Sequence, residues 1–213
     1  MLGINQRVAK VLLESGCVCL KPGDPFTYAS GLKGPIYCDN RRVLSHVKER
    51  DVIVEGFLEF IKNHQLKYDA VAGLATGGIP HAAFIAQKLD IPMLYVRSKA
   101  KGHGKQSLIE GDITNIKRIL LIEDLINQGS SLDKVIQPIK DDGIEVEDVL
   151  SVVSYEMQKA DEVAKKNQMS FHSLTNFTSL VEVGVELGMI KPDEKQLLLD
   201  WQKDPAAWSQ KQA

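Results

Sequence analysis

The sequence predicts an α/β protein built on a central, mostly parallel sheet flanked by helices, and three observations carry that prediction. Short apolar runs such as residues 119–122 read as strands buried on both faces, and they alternate with amphipathic segments of helical period such as residues 47–66. Turns of glycine or small polar residues follow the strand candidates, at Thr76-Gly77-Gly78 and at residues 127–131, just where helical patterns begin. Charge gathers where apolar runs end, as Glu123-Asp124 in one place and as a basic stretch after Val96 in another. In open α/β folds those strand ends border the crevice where ligands bind.

The chain has 213 residues, enough for one domain of this type with a sizeable core. Its net charge of −2 gives no global attraction to nucleic acid or to an anionic membrane, so any anion site must be local. Cys17, Cys19 and Cys38 are an odd set without CxxC spacing. No apolar run approaches bilayer length, and the first residues lack the apolar core of a signal peptide. A reducing cytoplasm is the expected setting.

Taken in order, Ile4, Val8, Val11 and Leu12 predict a helix within residues 1–15, closed by Gly16. Residues 17–20 read as a strand with Cys17 and Cys19 as packing residues, and residues 21–25 as a turn. Residues 26–41 interleave aromatics with glycines, which fits strands joined by a tight turn that either cover something flat or tuck against the core. Arg41, Arg42, Lys48 and Arg50 add positive charge after them. Val52, Phe57, Leu58 and Ile61 then mark the helix within residues 47–66.

Residues 68–80 read as a strand, a glycine turn and a helix start. Glycines there let backbone approach a ligand, and the helix expected after Pro80 points its positive end at the same crevice. The turn has neither a GxGxxG fingerprint nor the lysine of a Walker loop. His81, one turn in, is expected at the surface or as a cap. Residues 91–96 form another strand candidate. The chain then runs Arg97-Ser98-Lys99-Ala100-Lys101-Gly102-His103-Gly104-Lys105. By itself that is a solvated basic loop or a nucleic-acid patch; beside a phosphate cradle it is a clamp for phosphate charge.

Residues 111–117 lead by a turn or short hairpin into the strand at 119–122, and Glu123 and Asp124 fall where it leaves the core. Asn127, Gln128, Gly129, Ser130 and Ser131 follow, then a helix through Leu132, Val135, Ile136 and Ile139. Such a turn aims backbone N–H groups and a helix N-terminus at one phosphate, while paired acids accept from ribose hydroxyls. Viewed locally, the same residues also fit a strand end and an ordinary N-cap. Residues 146–153 and 169–174 read as strands and 161–167 as a helix. A helical run from Thr178 breaks at residues 188–192, and a last helix carries Leu197 to Trp201.

Phe26-Thr27 with Ser30-Gly31, residues 35–41 (Pro-Ile-Tyr-Cys-Asp-Asn-Arg), Gly77-Gly78-Ile79-Pro80-His81-Ala82 and the basic stretch from Val96 to Gly104 occur in the order seen in one enzyme family. The chain resembles the type I phosphoribosyltransferases and, within them, the orotate phosphoribosyltransferase family, over most of residues 1–205. The resemblance implies a type I phosphoribosyltransferase fold in a single domain spanning 1–213. Its core would lie at about 46–170, under a small hood from about 1–45 and part of the C-terminal segment. It implies Mg²⁺-dependent transfer of 5-phosphoribosyl from 5-phosphoribosyl 1-diphosphate to orotate in pyrimidine biosynthesis, by a homodimer that shares the loop 97–110 across its interface.

By the same resemblance, Glu123 and Asp124 engage the ribose hydroxyls, directly or through hydrated metal. Asn127, Gln128, Gly129, Ser130 and Ser131 hold the 5′-phosphate, and Arg97, Lys101 and His103 meet the leaving diphosphate, with Asp124 counted among the catalytic groups. Ile36, Tyr37 and Asn127 face the orotate ring. Lysines common in the family are replaced here by Ser98, Ala29 and Gly77, and an arginine near the end of the 146–153 strand is missing. Two other readings stay open: a ribosyl-diphosphate sensor of this fold without catalysis, suggested by the lost lysines, and a purine phosphoribosyltransferase, disfavoured by the hood.

Overall fold

A computed structural model describes residues 2–99 and 107–212. Helix α1 (Ile4–Glu14) leads into four short strands, β1 (Val18–Leu20), β2 (Phe26–Thr27), β3 (Lys33–Gly34) and β4 (Ile36–Cys38). A 3₁₀ turn at Asn40–Ser45 then precedes α2 (Val47–His64), β5 (Ala70–Leu74), α3 (Gly78–Leu89), β6 (Met93–Val96) and β7 (Ile109–Glu110). There follow β8 (Arg118–Ile126), α4 (Ser130–Asp141), β9 (Glu145–Ser154), α5 (Gln158–Asn167), β10 (Ser170–Asn176), α6 (Phe177–Glu186), α7 (Lys195–Lys203) and α8 (Pro205–Gln210).

The main sheet of the described residues runs β10-β9-β8-β5-β6-β7, parallel throughout except for β7, which pairs antiparallel with β6. Strand β8 shows why a continuous apolar run was needed. Leu120 and Ile122 enter the core on one face, with α1, α2, α3 and α6, while Ile119, Leu121 and Ile126 enter the core on the other, with α4 and α5. Both faces of a parallel sheet are covered, so both sets of side chains must be apolar.

Strand β8, helix α3 and the C-terminal segment depart from the sequence reading, each for a physical reason. Strand β8 does not stop at Ile122 but continues to Ile126, because β9 runs alongside it in register from Glu123 opposite Ser151 to Ile126 opposite Ser154. Pairing with β5 extends only to Ile122 opposite Gly73, so Glu123 and Asp124 are in a strand on one side and at an open sheet end on the other. Helix α3 opens at Gly78, with Pro80 inside its first turn, where a missing N–H costs no helical bond. A further helix, α8, follows α7; the Asp204 carboxylate caps it by accepting from Ala207 N at 2.9 Å, and Pro205 starts it.

The small strands pair as β1 with β4 and β2 with β3, both antiparallel, and the chain's C-terminal segment is tied to them. Lys33 N donates to Ser209 Oγ at 2.8 Å, and Lys33 Nζ donates to Gln212 O at 2.5 Å. Helix α7 is fixed to the exit of β9 by Gln202, whose amide donates to Tyr155 O at 3.0 Å.

Candidate active site

The carboxyl end of β8 lies between the first turn of α4, the first turn of α3 and the segment after β4. Glu123 is buried, 8% exposed. Its Oε1 accepts from Asp124 N at 2.9 Å. Burial, reinforced by the adjoining Asp124 carboxyl, pushes its pKa up to about 9, so Glu123 carries a proton at neutral pH.

Asp124 is held from two sides. Its main-chain carbonyl accepts from the side-chain amide of Asn40 at 2.7 Å, and Asn40 is itself buried, with its Oδ1 accepting from the Cys38 thiol at 3.3 Å. Its carboxyl lies against Gly77, where a Cβ would overlap it; a Cβ on Gly78 would overlap the main-chain oxygen of Ile122. Absent side chains at these two positions let the start of α3 press directly onto the end of β8. The positive end of α3 is thereby brought against the acid pair.

Beyond the acids, Gly129 adopts a left-handed conformation (φ 72°) and α4 opens at Ser130, so Ser130 and Ser131 belong to the first helical turn. Glu123 and residues 125–132 enclose a cavity of about 250 Å³ around this helix start. A cavity of about 200 Å³ adjoins it, lined by Tyr28, Ile36, Tyr37, Cys38, Leu125, Asn127, Tyr155 and Trp201. Asn127 and Leu125 border both. The second cavity is walled by flat side chains: Tyr37 pairs with Phe26 at 5.5 Å, and Tyr155 meets Trp201 edge to face at 5.8 Å. The Tyr28 hydroxyl donates to Ile36 O at 2.6 Å, and burial pushes its pKa up to about 12.

The structure therefore brings Glu123, Asn127, Gln128, Gly129, Ser130 and Ser131 around one cavity, with Ile36 and Tyr37 in the cavity next to it, while the Asp124 carboxyl lies against Gly77. Arg97 lines neither cavity. It follows β6, where its N–H donates to Leu108 O at 2.9 Å and its guanidinium lies 3.5 Å from Glu110. The β6–β7 pairing sets Val96 opposite Ile109. Lys101 and His103 lie outside the described residues.

Sequence reasoning missed Asn40, Tyr155, Trp201 and His81. His81 is not a surface residue: it is 1% exposed, its ring lies 5.7 Å from that of Phe57, and its Nδ1 is sealed from solvent without a hydrogen-bond partner among the described residues. Burial pushes its pKa down to about 4, opposed by the charge of Asp124. The available signal was spacing, since His81 stands four residues before the buried Ile85.

The family described as phosphoribosyl transferase domain matches residues 44–186. The orotate phosphoribosyltransferase of Coxiella burnetii (strain RSA 493 / Nine Mile phase I) is 44% identical over 201 residues, 94% of this chain and 96% of that protein. This chain belongs to the orotate phosphoribosyltransferase family. Another orotate phosphoribosyltransferase, from Bacillus cereus (strain ATCC 10987 / NRS 248), is 43% identical over 207 residues, 96% of this chain and 99% of its own. The crystal structure of orotate phosphoribosyltransferase from Aeropyrum pernix superposes with a TM-score of 0.73 at 31% identity, covering 86% of this chain and 99% of that one. An adenine phosphoribosyltransferase from Trypanosoma brucei, 15% identical with a TM-score of 0.59, shares the fold. The orotate phosphoribosyltransferase relatives thus match beyond residues 44–186, where the small strands β1 to β4 and the C-terminal helices lie.

Proposed function

We infer that this chain is an orotate phosphoribosyltransferase. It transfers the 5-phosphoribosyl group of 5-phosphoribosyl 1-diphosphate to N1 of orotate, giving orotidine 5′-monophosphate and diphosphate in pyrimidine biosynthesis. The observation that carries this reading is the pair of adjoining cavities bordered by Asn127, one at a helix N-terminus and one walled by aromatics, beside two acids. That sequence of surroundings fits a phosphate, a pentose and a flat heterocycle in the order in which they are bonded in the product.

Each group then has a task. The amides and hydroxyls of residues 127–131 hold the 5′-phosphate. Asp124 and Glu123 accept from the ribose hydroxyls. Ile36 and Tyr37 cover the base while Asn127 hydrogen-bonds its edge. As the ribosyl carbon becomes cation-like, negative charge grows on the departing diphosphate, and Arg97, Lys101 and His103 oppose it. A protonated His103 can pass its proton to the leaving oxygen. The base nitrogen closes the new bond directly, so no enzyme nucleophile is required.

Mg²⁺ suits this acid pair. The adjoining carboxyls are hard oxygen donors at the open end of β8, and a bound cation would replace the proton that burial keeps on Glu123. Glu123 and Asp124 would hold the ion together with substrate oxygens, and when bound it supplies charge neutralisation to the diphosphate. The working unit is a homodimer of single-domain chains in which the loop 97–110 closes over the partner's crevice, in the cytoplasm, without nucleic acid or membrane. Among the described residues no helix is long and apolar enough to cross a membrane.

The deciding assay follows loss of orotate absorbance with ribosyl diphosphate and Mg²⁺, against adenine, hypoxanthine and uracil. Orotate consumption in preference to the other bases is expected. Turnover of a purine instead, or ribosyl-diphosphate binding without turnover of any base, would overturn the assignment in favour of a purine enzyme or a sensor.

A further inference from the structure

We propose that His81 is a positioning residue for Asp124, its neutral imidazole holding that carboxylate in place for the ribose hydroxyls. The proposal rests on the phosphoribosyl reading above.

Gly77 and His81 are four residues apart at the start of α3, and Gly77 already has helical backbone angles (φ −69°, ψ −30°). Residues so spaced share a helix face, and side chains lean toward the N-terminus, so the imidazole at 81 is inclined over position 77. That is where the Asp124 carboxyl lies, in the space a Gly77 side chain would take. His81 shares its surroundings with Phe57, Ala82 and Ile85, all buried and apolar, where a phenylalanine would pack without stranding a polar atom. Its Nδ1 is nevertheless buried with no hydrogen-bond partner among the described residues.

A bare ring lone pair is cheaper to strand than an N–H, so the favoured tautomer puts the proton on Nε2 and makes that nitrogen the donor. The charge of the Asp124 carboxyl acts on this ring, and that carboxyl is the acceptor assigned to the donor. With no side chain at position 77 to fix it, the carboxyl takes its orientation from the imidazole above.

The test uses full-length His81→Phe and His81→Gln. Each is titrated calorimetrically with ribose 5-phosphate, followed kinetically with ribosyl diphosphate and orotate, and melted without ligand. For His81→Phe the expected result is an unchanged or higher Tm. Affinity for ribose 5-phosphate should fall about tenfold or more, as for a lost hydrogen bond to a charged group, and KM should rise for ribosyl diphosphate but not for orotate. His81→Gln, whose amide N–H can reach toward the Nε2 position, should recover most of the affinity. Wild-type affinity in His81→Phe, or affinity and Tm falling together in both variants, would overturn the proposal. If the wild-type protein binds ribose 5-phosphate but does not consume orotate, the orotate assignment fails while the titration still decides the role of His81. If the wild type binds no ribose 5-phosphate, both readings fall.

Discussion

The side-chain amide of Asn40 donates to the main-chain carbonyl of Asp124 at 2.7 Å, and this bond joins the segment after β4 to the strand that carries the acid pair. Replacing Asn40 with alanine leaves that carbonyl facing an apolar gap, a loss of about 1–3 kcal/mol. Denaturant unfolding of Asn40→Ala should show a loss of that size. Its KM for ribosyl diphosphate should rise as well, because the strand end loses its tether; an unchanged KM with full loss of stability would confine Asn40 to a structural part.

Glu123 gives stability a definite pH dependence. Folded Glu123 titrates near 9 and an unperturbed glutamate near 4.5, so between those values the folded chain holds the extra proton and stability falls as pH rises. Glu123→Gln removes this slope. Unfolding free energies measured at about pH 5 and about pH 8.5 should fall by about 2–4 kcal/mol less in the variant than in the wild type. His81 acts at the other end: its pKa near 4 lies below the ordinary 6.5, so its contribution is complete above 6.5 and is lost as pH drops toward 4.

Two adjacent glycines should answer the same substitution differently. A Cβ at Gly78 meets the main-chain oxygen of Ile122 in a central strand, which has no freedom to yield, so Gly78→Ala should cost more than about 3 kcal/mol and reduce soluble yield. At Gly77 the obstacle is the end of the Asp124 side chain, which can rotate away. Gly77→Ala should keep its Tm within a few degrees while KM for ribosyl diphosphate rises about tenfold, about 1.4 kcal/mol of lost binding.

Arg97 should matter to turnover and little to folding. It is 30% exposed and its partner Glu110 is 25% exposed at 3.5 Å, a pairing worth at most about 1 kcal/mol. Loss of a cation that opposes leaving-group charge costs on the order of 10²–10³ in rate. Arg97→Ala should therefore lower kcat by that factor with nearly unchanged thermal unfolding. Lys101→Ala and His103→Ala should lower kcat in the same direction; wild-type kcat in all three would remove the basic segment from the chemistry.

The parallel sheet and its order of elements were legible because a buried strand and an amphipathic helix each write their own period into a few consecutive residues. The extent of β8 was not, since two charged residues, Glu123 and Asp124, interrupt the apolar run and stay in the strand only through pairing with β9 up to Ser154. The surface placement expected for His81 failed in a similar way: a single histidine does not declare which side of its helix is covered.

What the sequence determined by itself is the family and one candidate cradle, an acid pair and a small polar turn kept side by side because they are covalent neighbours from Glu123 to Ser131. Only the tertiary structure decided what surrounds that cradle. Asn40 reaches Asp124 across 84 positions of chain, Gln202 reaches Tyr155 across 47, and the cavity walls come from strands and helices at opposite ends of the sequence. Such contacts follow from how the sheet and helices close on one another, and no local pattern of residues records which distant side chain will arrive.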